Sequence, residues 1–141
     1  MRRKEDESMK KIFIIGGFCV LFGLFVSFTS YSKNVFMSSE KAEKKWGKEE
    51  FVPGKFRKGS EADRAKMVVS LLESKEFIGI GLQEVKLTLG EPDGYFQNDQ
   101  IPAYFLTRPE KDKKEIWQVV FIPDSDWKKV KEVKIHKNCC D

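Results

Sequence analysis

The chain has 141 residues, enough for one small domain once its apolar N-terminal run is set aside. Residues 1–59 hold 13 Lys and Arg against 7 Asp and Glu, and residues 60–141 hold 13 against 15. The basic surplus therefore lies beside the apolar run, where anionic lipid headgroups would sit, which speaks against a basic nucleic-acid-binding face. Cys19 lies inside the apolar run and Cys139 and Cys140 are neighbours at the C-terminus, a set that excludes a disulfide framework.

From Ile12 to Phe28 there is no charge, and Thr29, Ser30 and Tyr31 extend the run before Lys33. At roughly 20 residues it matches a bilayer core in helical form, and it lacks the polar face of a buried core helix. Two readings stay open. The favoured one is an uncleaved anchor over residues 12–31 behind a cytoplasmic tail of residues 1–11, because the run exceeds the roughly 7–15 apolar residues of a signal peptide. In the other, Lys10 and Lys11 are the n-region of a signal peptide cleaved after Thr29 or Ser32. Arg2, Arg3, Lys4, Lys10 and Lys11 ahead of the run favour a cytoplasmic N-terminus. The expected location is the inner membrane with the C-terminal domain in the periplasm, or, after cleavage, secretion to the periplasm. Cys19 follows Gly16-Gly17-Phe18, without the small residue a lipobox needs before its cysteine, and reads as a small apolar residue of the span.

Residues 32–59 show no sustained period and read as a basic linker. Its aromatics are unusual for a tether, and those from about residue 44 onward, Trp46 and Phe51, are expected to dock on the domain over residues 60–141. Ser60 caps a predicted helix over Glu61 to Ser74, with Glu61 and Asp63 in its first turn and Met67, Val68, Leu71 and Leu72 as its apolar stripe. Arg64, in that first turn, reads as solvated helix surface. A second, short helix spans Leu82 to Leu89 and stops at Gly90, before the turn Pro92-Asp93-Gly94. Strands follow at Ala103 to Thr107, Glu115 to Ile122 and Val130 to His136. The loops are too short for crossover helices. The predicted fold class is therefore α+β, with two N-terminal helices packed on a three-stranded antiparallel meander, preceded by the transmembrane or signal helix.

The stretch Gly79-Ile80-Gly81-Leu82-Gln83-Glu84-Val85-Lys86-Leu87-Thr88-Leu89-Gly90-Glu91-Pro92 resembles the helix motif of BamE/SmpA/OmlA-like domains. That motif is a glycine, a helix start, a valine six residues on, and Leu-Gly-x-Pro. The resemblance spans about residues 60–137 and implies a fold also found in the repeats of β-lactamase inhibitor proteins. Within it Gly79, Val85, Leu89, Gly90 and Pro92 are structural: glycines for unusual backbone angles, apolar residues for the core, and the proline to send the chain into the sheet. Members usually place Ser or Thr at the helix cap, where this chain has Gly81, and many are lipoproteins.

No residue pattern calls for catalysis. His136-x-x-Cys139-Cys140 lacks the four settled ligands of structural zinc, and a terminal Cys-Cys has no base held beside it. Gly-rich phosphate loops, G-x-S-x-G and HExxH are absent from the sequence. No enzyme activity, cofactor, metal or small-molecule substrate is expected. Ile116, Gln118, Val120 and Ile122 alternate with Trp117, Val119 and Phe121, so both faces of the middle strand are largely apolar. One face packs on the helices. The other is expected to be covered by Trp46 and Phe51 or by a partner, which makes Trp46, Phe51, Tyr95, Phe96, Ile116 and Val120 the candidate partner surface. The expected function is a membrane-tethered, non-enzymatic module of the cell envelope that binds another envelope protein. The alternative is an exported inhibitor-type domain that blocks an enzyme.

Overall fold

Serine caps begin two of the helices among the described residues, and positive-φ glycines end two of them. In a computed structural model, which describes residues 35–108 and 115–139, β1 (Phe36–Met37) leads into α1 (Ser39–Trp46), α2 (Pro53–Lys58), α3 (Glu61–Ser74) and α4 (Leu82–Leu89). The strands β2 (Gly94–Phe96), β3 (Ile101–Phe105), β4 (Glu115–Pro123) and β5 (Val130–Cys139) complete it. Ser60 Oγ accepts from the Asp63 amide at 3.3 Å while the Asp63 carboxylate accepts from the Ser60 amide at 2.9 Å, a reciprocal cap at the start of α3. Ser38 caps α1 one way only, its Oγ accepting from the Lys41 amide, and Pro53 opens α2 where no intrahelical amide is needed.

The described residues form one antiparallel sheet in the order β1-β5-β4-β3-β2, with all four helices on one face. This corrects the expectation of two helices on a three-stranded meander. The three predicted strands form the centre of the sheet, and β1 and β2 add an edge on each side. Residues 35–59, expected as linker, supply β1, α1 and α2. Ala42 and Phe56, both fully buried, tie these two helices to the core. Their sequences carry so few apolar positions that no helical stripe can be read from them. The apolar segment 12–31 lies outside the described residues, as do Cys19 and Cys140. Among the described residues no helix is long and apolar enough to cross a membrane.

Between the helices and the sheet, five rings close a circuit of edge-to-face contacts. Phe51 meets Phe56 and Phe77, each at 5.8 Å between centroids; Phe77 meets Phe121 at 5.3 Å, Phe121 meets Tyr104 at 5.9 Å, and Tyr104 returns to Phe56 at 6.0 Å. Each such pair adds roughly 0.5–1.5 kcal/mol beyond the burial of its area. Phe51 is thus part of the helix-side core. Trp46 lies on the same side, with its ring 6.4 Å from that of Trp117.

Arg64 is buried in this layer and is not the solvated residue its position in the first helical turn suggested. Its Nε donates to the Phe56 carbonyl at 3.1 Å, its Nη1 donates to Asp93 Oδ2 at 2.6 Å, and its guanidinium lies against the rings of Phe56 and Tyr104.

Candidate functional site

Along β4, Trp117, Val119 and Phe121 face the helices, so Ile116, Gln118, Val120 and Ile122 face the other way. Strand register adds Ile101 and Ala103 from β3, Phe96 from β2, His136 and Lys134 from β5, and Phe36 from β1 to this second face. Phe96, Ile101, Ala103 and Val120 form a small apolar cluster of their own, with Ile122 packed on it.

No helix of the described residues covers this face, and Trp46 and Phe51 lie on the opposite side of the sheet. The edge strands supply the cover. Phe36 and Phe96 belong to opposite edges of a five-stranded sheet, whose flat width would be roughly 19 Å at normal strand spacing. Their ring centroids are nevertheless 6.5 Å apart. The sheet must therefore curl toward this face, which is concave. His136 sits between the two rings, 5.4 Å from Phe36 and 4.5 Å from Phe96. The Gln118 amide Nε2 lies 3.2 Å from His136 Nδ1. With Nε2 donating, Nδ1 accepts and the neutral ring keeps its proton on its own Nε2. Burial pushes the His136 pKa below its ordinary value, which favours that neutral form. The Lys134 ammonium lies 5.0 Å above the Phe36 ring and pairs with Glu132.

The residues singled out from sequence separate into distinct places. Phe96, at 8% exposure, and Val120, fully buried, belong to the concave face, with Ile116 half-buried beside them. Tyr95 points to the other side of β2, is 45% exposed, and has the Lys86 ammonium 5.1 Å above its ring. Trp46 and Phe51 are core contacts. Val85 and Leu89 are buried in the core and Pro92 is half-buried. Gly79, with φ of 86°, donates its amide to the Val130 carbonyl, and Val130 donates back to Ile80. The glycine-rich entry to α4 is thus stitched to the start of β5. Gly90, with φ of 88° and ψ of −174°, ends α4 and gives its amide to Lys86. Its carbonyl accepts from the Tyr104 hydroxyl at 2.8 Å, and burial raises the Tyr104 pKa strongly, so the phenol stays protonated.

Sequence reasoning missed Phe36, His136 and Asp93. Phe36 lies in a two-residue strand, too short for any periodicity, and His136 ends a predicted strand whose local sequence gives no sign of the two edge rings that flank it. Among the described residues no group of three or more His, Cys, Asp or Glu side chains is placed to hold a metal ion. No family model matches the chain, nor does any curated protein or solved structure.

Proposed function

We propose that the domain is a non-enzymatic protein-binding module, tethered to a membrane by residues 12–31 and facing the periplasm, and that it binds another envelope protein through the concave face of its sheet. The observation that carries this reading is the composition of that face. Phe36, at 37% exposure, and the half-buried Ile116 and Ile122 stand at the surface of a sheet side that no helix of the described residues covers. Apolar groups grouped in this way on one side of a domain are the usual substrate for a protein contact. The likeness of residues 79–92 to the BamE/SmpA/OmlA-like motif and the basic residues ahead of the apolar run support the envelope location.

The test is photo-crosslinking in intact cells, with the reactive side chain placed at Phe36, at Ile122, or at the exposed Thr88 of α4 as a control. The module reading expects one discrete adduct from Phe36 and Ile122 and none from Thr88. Equal labelling from all three positions, or none from any, counts against it. Release of the protein by carbonate washing would remove the tether and favour an exported, soluble domain.

A further inference from the structure

The end of the sheet away from its entry strand carries a tryptophan that serves neither the core nor its own turn. Ala103 faces Val120 across β3 and β4, which sets Ile101 opposite Ile122. The turn between β2 and β3 and the turn between β4 and β5 therefore project from the same end of the sheet. Phe36 pairs with His136 and Met37 with Ile135, so the chain enters β1 from the opposite end.

Trp127, in the second of these turns, has φ of 59°. A left-handed backbone is disfavoured for any L-residue, and a bulky aromatic there is a marked exception. Asp124 imposes the conformation. Its carbonyl accepts from the Trp127 amide at 3.1 Å, and its Oδ1 accepts from the amides of Lys128 and Lys129 at 3.0 and 3.4 Å. Glycine or asparagine would satisfy such a turn with less strain. The indole does not serve the core either, because it is 45% exposed and belongs to neither apolar cluster. Backbone strain held under an exposed side chain points to a function for that side chain.

Across from the indole stand Asn98, Asp99 and Gln100, which with Trp127 line an open depression of about 500 Å³. Asn98 Oδ1 accepts from the amides of Gln100 and Ile101 at 3.0 and 3.3 Å, which fixes the turn and leaves its NH₂ donors free. The side chains of Asp99 and Gln100 have no partner among the described residues.

We infer that Trp127 and the Asn98–Gln100 turn form a binding site for a neutral saccharide chain, with the indole as a stacking platform and the turn side chains as hydrogen-bond partners. The C–H face of a sugar ring is apolar and electropositive and suits the electron-rich face of an indole. Its vicinal hydroxyls both donate and accept, so they can meet the NH₂ donors of Asn98 and the side-chain amide of Gln100, and the Asp99 carboxylate adds a charged acceptor. Asp126 and Lys128 flank Trp127 with opposite charges, so the surroundings select neither an anion nor a cation. Nucleic-acid phosphates would meet Asp99 and Asp126, and a quaternary ammonium would find one ring where an aromatic cage needs several. The site is on different residues from the concave face and does not depend on the function proposed for that face.

The test uses the full chain in lipid nanodiscs, which keeps sugar-headed detergents away, with tryptophan indole N–H signals followed by NMR. The probes are chitotetraose, cellotetraose and maltotetraose. At least one should shift the Trp127 signal, and not those of Trp46 and Trp117, with saturation near ~1 mM. Trp127→Gly should keep or raise the melting temperature, since glycine suits the turn, and weaken binding at least about tenfold. Gln100→Ala should weaken it by roughly three- to tenfold. The site is overturned if none of the three sugars shifts the Trp127 signal at about 10 mM. It is equally overturned if binding survives Trp127→Gly, or if that variant melts lower, which would show the ring to be a packing group.

Discussion

Arg64 and Asp93, 29 residues apart in the chain, are joined by a 2.6 Å contact between Nη1 and Oδ2, and the same carboxylate oxygen accepts from the Phe105 amide at 2.8 Å. One carboxylate thereby ties α3 to the turn after α4 and to the end of β3. The Arg64 side chain is 11% exposed and that of Asp93 29%, so removing Asp93 leaves a largely buried guanidinium without its counter-charge. Asp93→Ala should cost about 3 kcal/mol, near the lower end of what breaking a buried pair costs. Arg64→Met, which keeps the packing on Phe56 and Tyr104 and removes the buried charge, should cost less. Urea denaturation midpoints of the two variants check this order, and a milder Asp93→Ala would show the pair to be solvated.

Gly90 and Gly79 both have positive φ, and they separate strain from crowding. Gly90, at φ 88° and ψ −174°, is not in the left-handed helical region expected for a helix stop but in a region that essentially only glycine occupies. A Cβ there would also come within 3.1 Å of Arg57 Cγ, whereas one at Gly79 would meet nothing within 4 Å. Both Ala variants should lose about 1–3 kcal/mol to backbone strain. Gly90→Ala should lose more than Gly79→Ala, and Gly90→Val more again. Equal melting temperatures for the two Ala variants would mean that Arg57 gives way freely.

Much of the centre of the fold could be read from local chemistry. Ser60 with Asp63 marks the start of α3, Gly90 with Pro92 marks the stop of α4, β4 stands out as a nearly continuous apolar run rich in β-branched and aromatic residues, and β5 by Val133 and Ile135 alternating with Lys134 and His136. The edges could not be read. α1 buries Ala42 and α2 buries Phe56, single contacts inside strongly charged sequence. β1 has two residues and β2 three, less than a readable alternation. The curl of the sheet, which brings Phe36, Phe96 and His136 together, is a property of five strands at once. The Arg64–Asp93 pair is likewise non-local, and nothing near Arg64 in the chain distinguishes it from a surface arginine.

His136 gives the domain a pH dependence of predictable sign. Its folded-state pKa is lowered by burial from an ordinary value of about 6.5, so near that pH the unfolded chain takes up a proton the folded chain resists. Stability should therefore fall as pH drops below roughly 6.5, and this contribution should level off once pH passes the lower folded value. Asp63 and Asp124, held low by hydrogen bonds from Ser60 and from the Lys128 amide, act in a different window. Their contribution is present above about pH 4 and is lost only as pH falls through their depressed values. His136→Phe keeps a ring between Phe36 and Phe96 and removes the titration. Denaturation midpoints at pH 7 and 5.5 should differ in the parent chain and converge in the variant. An unchanged difference would assign the effect to other groups.

The two faces of the sheet make opposite predictions for two phenylalanines that a sequence reading would place in one linker and treat alike. Phe56 is fully buried, closes the aromatic circuit through Phe51 and Tyr104, and offers its carbonyl to Arg64. Phe56→Ala should cost roughly 3–5 kcal/mol, as deletion of a core aromatic does. Deleting residues 44–56 should abolish cooperative unfolding outright, because it removes Trp46, Phe51 and Phe56 from the helix-side core. Phe36 is 37% exposed and, among the described residues, its ring and charge partners are Phe96, His136 and Lys134. Phe36→Ala should cost no more than about 1 kcal/mol, since a partly exposed ring leaves no closed cavity. If the concave face is the binding surface, that mild variant should lose the crosslinked adduct formed from Ile122 while its melting temperature stays near that of the parent. A Phe36→Ala chain that kept the adduct in full would move the binding surface off this face. One that unfolded as readily as Phe56→Ala would show that β1 is part of the core and not its rim.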